Sequence, residues 1–303
     1  MQSDANGLIG AIEAGGTKFI CALARHDGTI VARTRIATRH PSETWADVVA
    51  FFRTASAEHG AIDSFGVASF GPIDIDPTSP AYGTITTTPK PGWSGARYQD
   101  ALDEFAVPIV VDTDVNGAAI GEWLTGAGQG VKTMAYTTIG TGVGTGIVRD
   151  GRPMMGFSHY EAGHIRPHRD PAADPFPGVC PYHGDCVEGL ASGPAILKRW
   201  GKTLDQLAQA PADLLLVAGY IADLAADLVL LHMPDRLIFG GGVMKTPGLV
   251  EALRKATEER LGGYVRHPRL DPGLETYLVT PHLGDDAGIT GAIELGRHAL
   301  VQR

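Results

Sequence analysis

The chain has 303 residues, 44% of them hydrophobic and 19% charged, enough apolar material for two domains of about 100–200 residues each and too much for a disordered chain. Lys+Arg 25 against Asp+Glu 34 leaves a formal charge of −9, the wrong sign for a protein that grips nucleic acid or an anionic membrane through its overall field. Forty glycines without a Gly-X-Y period exclude a collagen-like chain, and no stretch approaches the roughly 18 apolar residues of a membrane span. Met1-Gln2-Ser3-Asp4-Ala5-Asn6 lacks the charged and then apolar pattern of a signal peptide. Three cysteines, an odd and low number, point to a reducing cytosol.

Residues 8–13 read as a short apolar strand, Ala14-Gly15-Gly16 as a turn, and 17–24 as a second strand; Asp27-Gly28 then returns the chain into 29–37, giving three antiparallel strands. Ser42 is suited to cap a helix in which Trp45, Val48, Val49, Phe52 and Ala55 recur at helical spacing. Residues 65–69 and 107–111 read as buried strands and 115–124 as a helix. A similar pattern then starts again, with a strand at 133–139, the Gly140-Thr141-Gly142 turn, and a strand at 143–148 ending at Asp150-Gly151. Residues 214–231 form a long apolar helix, 236–239 a strand, 249–261 a helix, 276–280 a strand and 286–301 a final helix. The repetition is of architecture, and it implies two related α/β lobes. The expected lobes are 1–115, joined by the C-terminal helix at about 290–303, and 116–289, which carries a polar insertion at 157–188 that must be functional or tied down.

Glu13-Ala14-Gly15-Gly16-Thr17-Lys18 and the run 138–146 are the two turns suited to phosphates, because glycine lets successive amides converge on one anion. The hydroxyls of Thr17, Thr138 and Thr141 add donors. Neither turn completes a Walker motif or the dinucleotide fingerprint, which counts against P-loop ATPases and Rossmann dehydrogenases. A third cluster, Gly240-Gly241-Gly242, follows a strand and precedes a helix; a flat ring could lie on so bare a backbone, and a plain strand-to-helix turn reads nearly as well.

In Val110-Val111-Asp112-Thr113-Asp114-Val115-Asn116, period-2 geometry places Asp112 and Asp114 on one side at the end of a strand, where α/β sheets open their ligand crevices. One carboxylate there suits a general base for a hydroxyl attacking a γ-phosphate, and the other a helix cap. His164, Cys180, His183 and Cys186 give H-x15-C-x2-H-x2-C, thiolates and imidazoles that suit a closed, structural Zn²⁺ site. His159, His168, Asp174 and Asp185 compete as ligands, so His164 is the least secure of the four.

These pieces together resemble the ROK family of sugar kinases and regulators over nearly the whole chain, and within it the bacterial fructokinase branch. The 13–18 turn resembles the family's first phosphate motif, with Glu13 where many relatives have Asp; 138–146 resembles the second, and 239–243 the nucleotide-domain glycines. The resemblance therefore assigns ATP to Gly15, Gly16, Thr17, Lys18, Thr138, Gly140, Thr141, Gly142 and Gly240, Gly241, Gly242, and the base to Asp114. Glu161-Ala162-Gly163-His164 matches the family's E-x-G-H motif, in which the Glu contacts sugar hydroxyls and the His ligates zinc. The run 180–188 resembles the fructokinase zinc motif, with Glu188 at a further sugar-contacting position. Thr86-Thr87-Thr88-Pro89-Lys90-Pro91-Gly92-Trp93 is also fructokinase-like and would offer Thr88 and Lys90 to the sugar. Thr113 stands where the family's glucokinases carry an Asn that bonds glucose; losing that amide favours fructose.

The resemblance implies a two-lobed, actin/hexokinase-like (ribonuclease H-like) α/β fold with its active site in the interlobe cleft. It also implies a cytoplasmic homodimer that uses ATP with Mg²⁺ and a structural Zn²⁺ to phosphorylate D-fructose at the 6-hydroxyl. Glucokinase, mannokinase or another hexose kinase is the main alternative. A repressor of the same family needs an N-terminal helix-turn-helix domain, for which the residues ahead of the turn at 13 leave no room. A zinc hydrolase needs an open metal position.

Overall fold

A computed structural model describes residues 7–88, 90–207, 211–270 and 273–301; residues 1–6 and Pro89, which the sequence reading used, lie outside the described residues. In chain order the elements are β1 (Leu8–Ala14), β2 (Lys18–Arg25), β3 (Ile30–Ala37), α1 (Pro41–His59), β4 (Ile62–Ser69), α2 (Tyr98–Leu102), β5 (Ile109–Thr113), α3 (Asp114–Thr125), β6 (Thr133–Ile139), β7 (Val143–Arg149), β8 (Arg152–Pro153), α4 (Val187–Ala191), α5 (Gly193–Trp200), α6 (Pro211–His232), β9 (Arg236–Gly240), α7 (Leu249–Leu261), β10 (Leu278–Val279) and α8 (Ala287–Val301). Two boundaries moved for reasons in the backbone. Helix α1 starts at Pro41, whose fixed φ and missing N–H suit a first turn, so His40 and not Ser42 holds the capping position. Strand β5 starts two residues later than the period suggested, because Pro108 has no N–H for a ladder; its carbonyl accepts Phe65 N at 2.8 Å instead.

The chain divides into two compact units. The first comprises Met1–Leu124, Met155–His159 and Asp285–Arg303. Its five-stranded sheet runs β3-β2-β1-β4-β5, with β1, β2 and β3 antiparallel and β1, β4 and β5 parallel. Leu8 and Ile12 of β1 enter a core with Phe19, Phe65 and the α1 residues Val48, Phe52 and Ala55, capped by fully buried Trp93 and Tyr98. The opposite face takes α8. That approach is close enough that a Cβ on Gly66 would meet Ala292 O at 1.9 Å and Gly296 N at 2.3 Å. The edge strand β5 is sealed by Tyr82, whose hydroxyl accepts Val111 N at 2.7 Å and donates to Val111 O at 3.2 Å. Helix α3 belongs to this unit, because Gly117 and Gly121 bring it against α8. The unit therefore runs to Leu124, past the expected boundary at 115, and takes in residues 155–159, which span the expected start of the insertion at 157.

The second unit, Thr125–Met154 with Tyr160–Gly284, builds a five-stranded sheet in the order β10-β9-β6-β7-β8. Read from the other end, it repeats the first: β6, β7 and β8 are antiparallel, and β6, β9 and β10 parallel. The expected repetition of architecture is therefore present as topology. Helix α6 passes the length and apolar-composition test for a membrane span, contrary to the sequence reading. It is nevertheless a core helix here, with Val217, Ile221, Leu224, Ala225 and Leu228 buried, and its Asp223 is bonded by Arg260 of α7.

Because α8 can approach β4 only across a bare Gly66, Gly66→Ala should destabilise the fold by about 2 kcal/mol or more, read as a lowered denaturant midpoint with an unchanged m-value. A variant as stable as the parent would show that the helix moves out freely.

Candidate active site

The chain turns from strand to helix between Thr113 and Asp114, and this junction separates the two aspartates. The period-2 relation expected between them ends there, since α3 starts at Asp114. Asp112 is buried, and its Oδ1 accepts Thr113 N and Asn116 Nδ2, both at 2.7 Å. Burial pushes its carboxyl up to about 6 despite those two bonds. Asp114 is half-buried on the first turn of α3, with Oδ1 accepting Val115 N at 2.8 Å. The helix cap expected of an aspartate is supplied by Thr113, whose Oγ1 accepts Asn116 N at 3.1 Å. Asp112 is thereby committed to holding the junction, which leaves Asp114 as the carboxylate presented at its end. The i, i+4 spacing of Asp112 and Asn116 is the sequence signal for this lock.

The first glycine turn joins β1 to β2. Gly15 N donates to Lys18 O at 2.9 Å, Thr38 Oγ1 donates to Gly15 O at 2.8 Å, and Thr38 N donates to Thr17 O at 3.1 Å. Lys90 Nζ seats on Gly16 O. Lys90, expected at the sugar, thus contacts the first glycine turn, and in the same loop the Trp93 indole donates to Arg39 O at 2.8 Å. Thr88 lies in the same loop and accepts Lys90 N at 3.3 Å. These contacts occupy the carbonyl oxygens of Gly15, Gly16 and Thr17 and spend the Gly15 amide on closing the turn. Glu13 ends β1 beside this turn. Its Oε2 is buried without a hydrogen-bond partner, and burial pushes the carboxyl up to about 7, opposed by Lys18 and reinforced by Asp114.

In the second unit, the turn between β6 and β7 closes through Gly140 N, which donates to Gly142 O at 2.9 Å. Thr138 is half-buried at the end of β6 and Thr141 is exposed on the turn. Glu188, in α4, accepts Val143 N on Oε2 at 3.0 Å. In the third glycine cluster, Gly240 ends β9. Gly241 has φ +92° and no room for a Cβ beside Ile139 O, at 2.4 Å, so the backbone itself demands glycine. Gly242 faces open space, and a 3-10 turn, Val243–Lys245, intervenes before α7.

The ligand atoms of His164, Cys180, His183 and Cys186 all lie within 4.8 Å of one another. Cys180 Sγ is 3.7 Å from His164 Nδ1 and 3.6 Å from His183 Nδ1, and Cys186 Sγ is 3.6 Å from His164 Nδ1. A tetrahedral zinc with ordinary Zn–S and Zn–N lengths has S···N edges of about 3.5 Å, so the donor set fits that ion. The competing residues are placed elsewhere. Asp174 accepts Arg199 Nη1 at 2.9 Å and the Tyr220 hydroxyl at 2.5 Å, and Asp185 faces Arg169 at 3.4 Å. Glu161 Oε2 lies 3.9 Å from His164 Nε2. Cys186 also caps α4, accepting Gly189 N at 3.4 Å, so a metal-type donor sits at the foot of the helix that carries Glu188.

Glu13 yields a pH test. A carboxyl raised from 4.5 to about 7 favours the protonated native state, so this contribution to stability is full below about 4.5 and is lost as pH rises through about 7. Glu13→Gln removes that loss. Between pH 5 and pH 8, in denaturant titrations without nucleotide or divalent cation, the variant should gain roughly 2.5 kcal/mol relative to the parent. A pH-independent difference would contradict the assignment.

The sequence pattern of the ROK family matches residues 9–299. The chain is 43% identical over 292 residues to a fructokinase of Zymomonas mobilis, covering 95% of this chain and 96% of that one. It is 41% identical over 294 residues to a fructokinase of Pediococcus pentosaceus, covering 97% and 99%. The solved structure of a ROK family glucokinase from Streptomyces griseus, in complex with glucose and AMPPNP, superposes with a TM-score of 0.72 at 26% identity, covering 96% of this chain and all of that one. With two matching five-stranded α/β units and a family pattern that spans almost every residue, the chain belongs to the ROK family.

Proposed function

We propose that the chain is an ATP-dependent fructokinase, transferring the γ-phosphoryl group of ATP to the 6-hydroxyl of D-fructose with Asp114 as general base. The observation that carries the base assignment is the β5–α3 junction, where Asp112 is buried in bonds to Asn116 and Thr113 and Asp114 stands on the first helical turn. The fructokinase relatives at 41–43% identity, matched over nearly their whole length, support the reaction and the sugar.

In this reading Asp114 accepts the proton of the 6-hydroxyl as that oxygen bonds to the γ-phosphorus. The bond from γ-phosphorus to the bridging oxygen breaks, ADP leaves, and the proton passes on to water. ATP enters as its magnesium complex, which adds positive charge at the phosphates. Gly15, Gly16, Thr17 and Lys18, with Thr138, Gly140, Thr141 and Gly142, are assigned to the phosphates: the Gly15 and Gly140 amides close their own turns, and the threonine hydroxyls and one ammonium are offered to the phosphate oxygens, while Gly240, Gly241 and Gly242 are assigned to the nucleoside. Glu161, His164, Glu188, Thr88 and Thr113 are assigned to the sugar. Lys90 is assigned to the sugar with them, from a seat on Gly16 O.

His164, Cys180, His183 and Cys186 would hold a structural Zn²⁺ with no open position, so the ion would order the loop and take no part in the chemistry. A homodimer in the cytoplasm completes the proposal; the unpaired cysteines Cys21, Cys180 and Cys186 accord with a reducing compartment.

In a coupled ATP-consumption assay, fructose should give a kcat/KM at least about 10-fold above those for glucose and mannose, and Asp114→Asn should lower kcat by about 10²–10⁴ with the fold intact. A glucose preference would move the chain to the glucokinase alternative, and a variant with parental kcat would remove the base. Chelation or Cys180→Ser should lower bound zinc, measured by metal analysis, together with thermal midpoint and fructose affinity; a zinc-free protein with parental values for both would overturn the structural role.

A further inference from the structure

We infer that Glu188 is a positioning residue for the second glycine turn, so that nucleotide affinity, and not sugar affinity alone, depends on this carboxylate. The inference rests on the kinase reading above. Three contacts converge on residues 140–143. Glu188 Oε2 accepts Val143 N at 3.0 Å. Gly193 N, at the start of α5, donates to Gly140 O at 2.8 Å. Gly163 lies so close to Val143 that a Cβ there would come within 2.0 Å of the Val143 carbonyl oxygen. The turn is thus gripped at its first glycine by α5 and on both sides of Val143 by residues adjoining the His/Cys cluster.

Gly142 shows how tight this grip is. A Cβ at that position would sit 2.8 Å from Glu188 Oε2, so the carboxylate reaches Val143 N only across a bare backbone. Glu188 lies two positions after Cys186, the residue that caps α4. One carboxylate oxygen is spent on the turn, and the other remains for a sugar hydroxyl. The same side chain then reports on the sugar and sets the amides that face phosphate, and the order of the four-donor loop is transmitted to the turn through α4.

The test is nucleotide binding to the full chain without hexose, by calorimetry with AMPPNP and magnesium. Glu188→Ala removes the acceptor for Val143 N and should weaken binding by about 10-fold or more. Glu188→Gln keeps an amide oxygen at that position and should stay within about 3-fold of the parent, although both variants lose fructose affinity. Gly142→Ala should weaken binding as Glu188→Ala does, and adding it to Glu188→Ala should cost little more, because both break one contact. Circular dichroism and thermal midpoints confirm that the variants compared are folded. Parental nucleotide affinity in Glu188→Ala, or equal losses in the Ala and Gln variants, would overturn the inference. A protein that shows this binding pattern but does not phosphorylate fructose would leave the positioning role standing and remove the fructokinase reading.

Discussion

A buried carboxylate at the end of a strand is the constraint from which the proposed chemistry follows. Asp112 sits where β5 stops, and it stays there because the Thr113 amide and the Asn116 side chain both donate to one of its oxygens. Burying an acid is costly unless its oxygens are bonded, and the raised carboxyl of Asp112 shows that the cost is only partly offset. What it secures is direction: the chain enters α3 at one fixed angle, and Asp114 leaves the sheet on its first turn. The Tyr82 hydroxyl holds the same strand from its open edge through Val111. The position of the Asp114 carboxylate, the base in the proposed reaction, is thus set by its neighbours in the chain and by the sealed edge of β5.

The same logic recurs in each unit on a duplicated topology. Antiparallel strands connected by a glycine turn lie at one side of each sheet, and parallel strands lie at the other. Neither turn is left to its own propensity. Thr38 and Lys90 fix the carbonyls of 15–17, and Glu188 and Gly193 fix 140–143. A flexible glycine loop would have to be ordered at the moment any ligand bound, and these contacts order both turns during folding. In the long polar insertion, which the sequence reads as short of apolar anchors, Tyr160, Ile165, Phe176 and Val187 pack on the second unit's core, and the His/Cys cluster adds a further point of order.

Much of the fold was legible because long elements carry a full period. The strands at 8–13 and 17–24, the helix at 42–55 and the apolar helix α6 all announced themselves. Helices α2, α4 and α5, at five to eight residues, are too short to show a period, and α4 is nonetheless the element that carries Glu188. At the site, the local motifs were readable: two glycine turns, the aspartate pair and the Cys-x2-His-x2-Cys core. The contacts that give them roles are nonlocal. Lys90 meets Gly16 across 74 positions and Glu188 meets Val143 across 45, distances that no spacing rule covers. The aspartate pair misled for a different reason, since period-2 geometry fails at the residue where a strand becomes a helix.

The most direct measurement of the central claim is a crystal structure of the chain with fructose and AMPPNP, read at the 6-hydroxyl. The account predicts an Asp114 carboxylate oxygen within about 2.6–3.2 Å of that hydroxyl, and Asp112 still bonded to Asn116 and Thr113. A sugar whose 6-hydroxyl met Asp112 or Glu13, with Asp114 out of reach, would contradict it.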